Sequence, residues 1–178
     1  MKLSDHEINA HLRDKLQNVA GRHLYVILGT YEALDHYEKV ALPELRGPNN
    51  EKIPAPVNVN RTLLERVPDE ELKKMVQSEA RRPEHVKQRL YDEFDRLLTE
   101  TLADQSVVAL KQLELLFAFD LEFDKLRIRA VNQKHILLML PGEKSSERIM
   151  LFHEASPQWH RTLPATLVPE EHLYELTK

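Results

Sequence analysis

The residues best placed to do chemistry follow the first strongly apolar run of the chain. His23-Leu24-Tyr25-Val26-Ile27-Leu28 ends at Gly29, and Thr30-Tyr31-Glu32-Ala33-Leu34-Asp35-His36 comes directly after it. Open α/β sheets bind ligands outside the carboxyl ends of their strands, so a phosphate-binding loop would begin at Gly29. Such a loop reads G-x-x-x-x-G-K-[ST]: glycines let backbone N–H groups approach the phosphates and the lysine neutralises them. Here Leu34 stands at the second glycine, Asp35 at the lysine and His36 at the hydroxyl residue. The partner motif is an apolar strand ending in an aspartate that holds Mg²⁺, yet Val107-Val108-Ala109-Leu110 ends in Lys111. An acid has replaced a base and a base an acid. The expectation is a degenerate phosphate site at Gly29, Asp35, His36 and Lys111, with no cofactor and with Asp35 and Lys111 joined as a charge-swapped pair.

Other constellations are weaker. His153-Glu154 with His160 lacks the helical spacing of H-E-x-x-H and a third ligand, so no metal site is expected. Asp120, Glu122 and Asp124 offer too few oxygens, and no glycine, for a calcium loop; Asp124 reads as a helix N-cap. The G-x-S-x-G elbow of a serine hydrolase is absent, and the chain is expected not to be an enzyme. Trp159, the single tryptophan, sits beside His160 and Arg161 in SPQWHR, a combination suited to anchoring a partner protein.

Several elements must position these residues. Ser4 with Glu7 three places on is a capping box, and Ile8, Leu12, Leu16 and Val19 form one apolar stripe, which predicts an N-terminal helix over 4–20 closed by Gly21. The run to Leu28 does not alternate, which suits a strand buried on both faces. A helix follows from Tyr31 to Leu42, with Ala33, Leu34, Tyr37, Val40 and Ala41 inward, and then a loop from Leu45 to Pro56. Val57–Asn60 reads as a second strand and Arg61 onward as a helix around Leu63, Leu64 and Val67. Pro68 and Pro83 introduce two amphipathic helices, Asp69–Ala80 and Glu84–Leu102. Val107–Leu110 is a third strand, Leu113–Phe119 a short apolar segment, Asp124–Asn132 a helix, and Ile136–Leu140 a fourth strand stopped by Pro141-Gly142. Arg148–Phe152 and Leu173–Leu176 look like shorter, more polar strands at an edge. Strands alternating with helices predict one three-layer α/β domain over 1–178 around a largely parallel sheet.

Composition narrows the function. The 178 residues include four glycines and no cysteine, so disulfides, thiolate metal sites and cysteine nucleophiles are excluded. Twenty-five Lys and Arg against 29 Asp and Glu give a net charge of −4, which does not favour non-specific DNA binding. No apolar run reaches the roughly 20 residues of a membrane span, and the polar start MKLSDHEINAHLRDKL is unlike a signal peptide, so a cytoplasmic location is expected.

The order Leu24–Gly29, Val57–Asn60 with a Leu-Leu helix, SVVALKQLELLF, HILLMLPGE and LFHEASPQWHRTLP resembles the small P-loop-type proteins of bacteriophage-exclusion (BREX) defence systems, of the BrxF type, with the BrxB type as a relative. The likeness covers about residues 22–176 and departs from the BrxF pattern at Leu34, Asp35, His36 and Lys111. It implies a degenerate P-loop fold and a non-catalytic adaptor in a defence complex, with a PglZ-type protein, a larger ATPase and a DNA methyltransferase as partners and only weak or indirect DNA contact. Two alternatives stand beside it. One is a weak nucleotide-binding regulatory ATPase subunit that draws positive charge from Lys39 or a partner. The other is a DNA-contacting subunit using Arg81, Arg82, Lys87 and Arg89.

Overall fold

Alternation along the apolar strands decides the layering, because successive side chains of a strand point to opposite faces. The computed structural model describes residues 2–120 and 122–177. In chain order the elements are β1 (Lys2–Leu3), α1 (Asp5–Leu16), β2 (Leu24–Gly29), α2 (Tyr31–Val40), β3 (Val57–Asn58), α3 (Val59–Arg66), α4 (Asp69–Ser78) and α5 (Pro83–Asp104). They continue as β4 (Val107–Lys111), α6 (Glu114–Ala118), α7 (Phe123–Arg127), β5 (His135–Ser145), β6 (Arg148–Leu151), β7 (Arg161–Pro164) and β8 (Leu173–Leu176). The main sheet runs β1-β8-β2-β5-β4-β3, and every pairing along that path is parallel. The chain is therefore an α/β domain with a mostly parallel sheet flanked by helices.

Leu24, Val26, Leu28, Val108, Leu110, Ile136, Leu138 and Leu140 face one core, which α3, α5, α6 and α7 cover with Leu63, Phe94, Leu98, Phe117 and Leu126. The intervening Tyr25, Ile27, Val107, Ala109, Leu137 and Met139 face the other, covered by Ile8, Leu12 and Leu16 of α1 and Leu34 and Tyr37 of α2. A small third cluster, Val67, Met75, Val86 and Leu90, pins α4 to α5.

The structure moves several expected boundaries. The capping box at Ser4 and Glu7 is present, but α1 ends at Leu16, the last residue of its stripe that is buried; Val19 is half exposed. Gly21, with φ of 116°, belongs to the turn that follows, not to the helix end. The second strand is only Val57–Asn58, since the Asn58 side chain accepts from Arg61 N at 3.0 Å and starts α3 two residues earlier than expected. Asp124 is not an N-cap: Glu122 holds that position, and Asp124 instead pairs with Arg127 at 3.0 Å within a helix that ends at Arg127, leaving Ile128 exposed.

The fourth strand does not stop at Pro141-Gly142. Pro141 lies beyond the last β4 partner, Lys111↔Met139, and its carbonyl accepts from Phe152 N at 2.7 Å. Gly142 then lies against β6, where a Cβ would stand 2.4 Å from the Met150 carbonyl oxygen, so only glycine fits. The extension of β5 pairs antiparallel with β6, and β6 with β7. Leu173–Leu176 is not an edge strand either: β8 is buried between β1 and β2.

One buried polar contact fixes α1 against α2. Asn9 Nδ2 donates to the Ala41 carbonyl at 2.7 Å and Asn9 Oδ1 accepts from Tyr37 Oη at 2.7 Å. Replacement Asn9→Ala orphans both partners and is expected to cost about 1–3 kcal/mol in urea unfolding.

At the amino ends of the strands His135 is fully buried, with its ring centroid 4.2 Å from that of His23. Among the described residues neither ring nitrogen of His135, nor Nε2 of His23, has a hydrogen-bond partner. Burial, followed by the nearby His23, pushes the His135 pKa down from 6.5 to about 4, and burial lowers that of His23. Between those limits the unfolded chain takes up protons that the native state refuses. Stability is therefore expected to fall as pH drops from about 6.5 toward 4, with a slope up to about 1.4 kcal/mol per pH unit from His135, His23 adding in the same direction. Urea midpoints between pH 7 and 4.5 measure it, and His135→Leu should flatten the profile.

Candidate functional site

At the carboxyl ends of the strands, the charged groups nearest the start of α2 are paired within the chain. β2 ends at Gly29, and Thr30 caps α2, its Oγ1 accepting from Ala33 N at 3.1 Å. The next free donor of the helix start, Tyr31 N, donates to Glu154 Oε2 at 2.9 Å. A helix N-terminus with free N–H groups attracts phosphate, and here a carboxylate of the same chain occupies that position.

The loop that carries Glu154 is folded by the residues singled out for partner binding. Trp159 is half-buried against the main core. His160 Nε2 lies 3.0 Å from the Ala155 carbonyl. Arg161 donates to the carbonyls of Phe117, Gln158 and His160 at 3.1, 3.0 and 2.8 Å. Trp159, His160 and Arg161 thus hold the Phe152–Arg161 segment in shape, and through it set Glu154 over α2.

Lys111, at the end of β4, reaches across to α2, but not to Asp35. Its Nζ donates to both carboxylate oxygens of Glu38 at 2.6 and 2.7 Å, while Asp35 pairs along its own helix with Lys39 at 2.6 Å. The expected pair is one helical turn out of place, because Leu34 is the buried residue of that turn and Glu38, four places on, shares its face. His36 turns away to α1, where its Nε2 faces Asp5 Oδ2 at 3.7 Å. Of the four residues expected at a degenerate phosphate site, Asp35 and Lys111 border one small cavity, about 80 Å³, without pairing to each other. Gly29 and Lys111 end β2 and β4, which β5 separates, and both Asp35 and His36 are exposed on α2.

Sequence patterns did not disclose Glu114. Tyr31 Oη donates to its Oε1 at 2.9 Å, and Asn60 Nδ2 to its Oε2 at 2.8 Å. Asn60 Oδ1 in turn accepts from Leu115 N at 3.0 Å. Burial, with the charge of Glu114 second, raises the Tyr31 pKa far above its ordinary value. Tyr31 stays a neutral donor and is no base. This network ties α2, α3 and α6 together across the strand ends, and a reacting group would have to break it.

Beside it lies a cavity of about 480 Å³, lined by Asp5, Thr30, Glu32, His36 and Glu154 among others. Its charged walls are carboxylates, with His36 already facing one of them, so a polyphosphate would meet like charge. Of the cations considered for DNA contact, Arg89 is held bidentate by Glu71, at 2.6 and 3.3 Å, and also by Glu93. Lys87 lies 5.8 Å over the Tyr91 ring; Arg81 and Arg82 are exposed at the turn between α4 and α5.

Comparison with protein-family models, with curated proteins and with solved structures finds no match to this chain. No helix among the described residues is long and apolar enough to cross a membrane.

The two ion pairs of α2 are separable by mutation. Glu38→Ala strands Lys111, three-quarters buried, and is expected to cost about 1–3 kcal/mol. Asp35→Ala, in an exposed i,i+4 pair, should cost no more than about 0.5 kcal/mol in the same denaturant titration.

Proposed function

We propose that this chain is a non-catalytic subunit, built on a P-loop-derived frame whose nucleotide chemistry is gone, that acts through contacts with other proteins. The observation that carries this reading is the Glu154 carboxylate on Tyr31 N, where a P-loop would hold phosphate. The neutralisation of Lys111 by Glu38 adds to it, since that lysine ends β4 and is largely buried. The strand order gives further support. Numbered from the strand that precedes the degenerate loop, β2, β3, β4, β5 and β8 lie side by side as 5-1-4-3-2, an order that P-loop ATPase domains use.

The resemblance to small BREX proteins supplies the setting: a cytoplasmic phage-defence complex in which a PglZ-type protein, a larger ATPase and a DNA methyltransferase are the partners. Surface charge agrees with a protein partner more than with DNA, given the net charge of −4 and the engagement of Arg89.

Two measurements test the reading. ATP with Mg²⁺ is expected to leave the thermal midpoint unchanged; a saturable rise would overturn the loss of nucleotide binding and favour the regulatory ATPase subunit. Affinity-tagged chain, purified from cells that also express the neighbouring genes, is expected to bring their products with it. Recovery of the chain alone, with every neighbour supplied, would defeat the adaptor role.

A further inference from the structure

The strand ends opposite the closed phosphate position carry a cavity of a different character. It measures about 290 Å³ and opens at the amino ends of β2 and β8. Its floor is the buried pair Leu24 and Val168, both part of the main core, with Leu167 as a wall. Among the described residues its charged and titratable lining consists of Arg22, Arg127 and His172, with no carboxylate.

Both arginines here keep donors free for a ligand. Arg22 is exposed and makes no ion pair among the described residues. Arg127 gives Nη1 to Asp124, a residue whose side chain is 83% exposed, and keeps the other donors of its fork. The His172 ring rests 4.7 Å from that of Tyr25, and burial lowers its pKa, so at neutral pH it is an uncharged hydrogen-bonding group beside the arginines. Guanidinium forks match the planar geometry of carboxylates and phosphates. An apolar floor with a few convergent polar groups is the usual make-up of a small-molecule site, and this volume sits at the lower end for such sites.

We propose that this cavity binds a small organic anion, a carboxylate or phosphate head carried on a short apolar body, with the head on Arg22 and Arg127 and the body on Leu24 and Val168. The site is distinct from the α2 N-terminus and does not depend on the adaptor reading.

The test uses the full chain with four probes: hexanoate, hexyl phosphate, the neutral hexanamide and inorganic phosphate. Saturable binding of hexanoate or hexyl phosphate by calorimetry is expected, and the tighter of the two identifies the head group. Inorganic phosphate should bind more weakly than hexyl phosphate, and hexanamide not at all. Arg22→Gln, at an exposed position, is expected to weaken binding by about tenfold or more, the loss of a charged bidentate contact, with an unchanged circular dichroism spectrum and thermal midpoint. In NMR titrations the His172 pKa should rise in the complex, because a bound anion favours the imidazolium. Absence of saturable binding by both anions, equal binding of hexanamide, or full affinity in Arg22→Gln would each overturn the proposal.

Discussion

Burial of β2 and β5 on both faces is the constraint from which the remaining architecture follows. The two strands pair over six consecutive registers, Leu24↔Ile136 to Gly29↔Pro141, and all their side chains from Leu24 to Leu140 are shielded. Such a pair needs an apolar layer above and below it. That requirement places α1 and α2 on one side and α3, α5, α6 and α7 on the other. It also forces the chain to cross the sheet repeatedly, so that the loops at the carboxyl ends gather residues distant in sequence: Tyr31, Asn60, Glu114 and Glu154.

Those loops form a surface on which charge is settled internally. A parallel sheet with a helix starting after its central strand creates a local attraction for anions, and in most such folds the ligand satisfies it. Here Glu154 does so, at the end of a segment that Trp159 and Arg161 hold in place. A carboxylate of the chain itself can stand where an anion would, because the backbone donor at the helix start then has an acceptor.

The layers were legible in the sequence because they depend on long apolar runs: Leu24–Leu28, Val107–Leu110 and Ile136–Leu140 are strands in the structure, and the capping box at Ser4 starts α1. Boundaries were less so. The stripe through Val19 continues the helical period but meets nothing to bury it, and Pro141-Gly142 has the composition of a stop although its backbone continues into β6. Leu173–Leu176 contains Glu175 and so resembles an edge, yet β1 covers its outer side and Lys2 approaches the carboxylate at 3.6 Å. At the candidate site, the absence of a phosphate-loop pattern after Gly29 was readable position by position. The pairing of Lys111 was not, since choosing Glu38 over Asp35 needs the rotation of α2 about its axis. Leu34 carried that information. Glu114 and Asn60 left no pattern at all, as their contact is made only by the tertiary fold.

The position of β8 has a consequence for how the molecule is made. One of the two edges of β2 is completed by Leu173–Tyr174–Glu175, a segment more than 140 residues away in sequence. Until that segment arrives, Val26, Ile27 and Leu28 present open backbone hydrogen-bonding groups along an apolar edge, the kind of edge that pairs indiscriminately. Such long-range parallel pairing is also slow to form. A chain in which β8 has not yet docked is consequently the species most vulnerable to aggregation, and the closing of β8, followed by β1 onto its outer side, is the event that covers that edge.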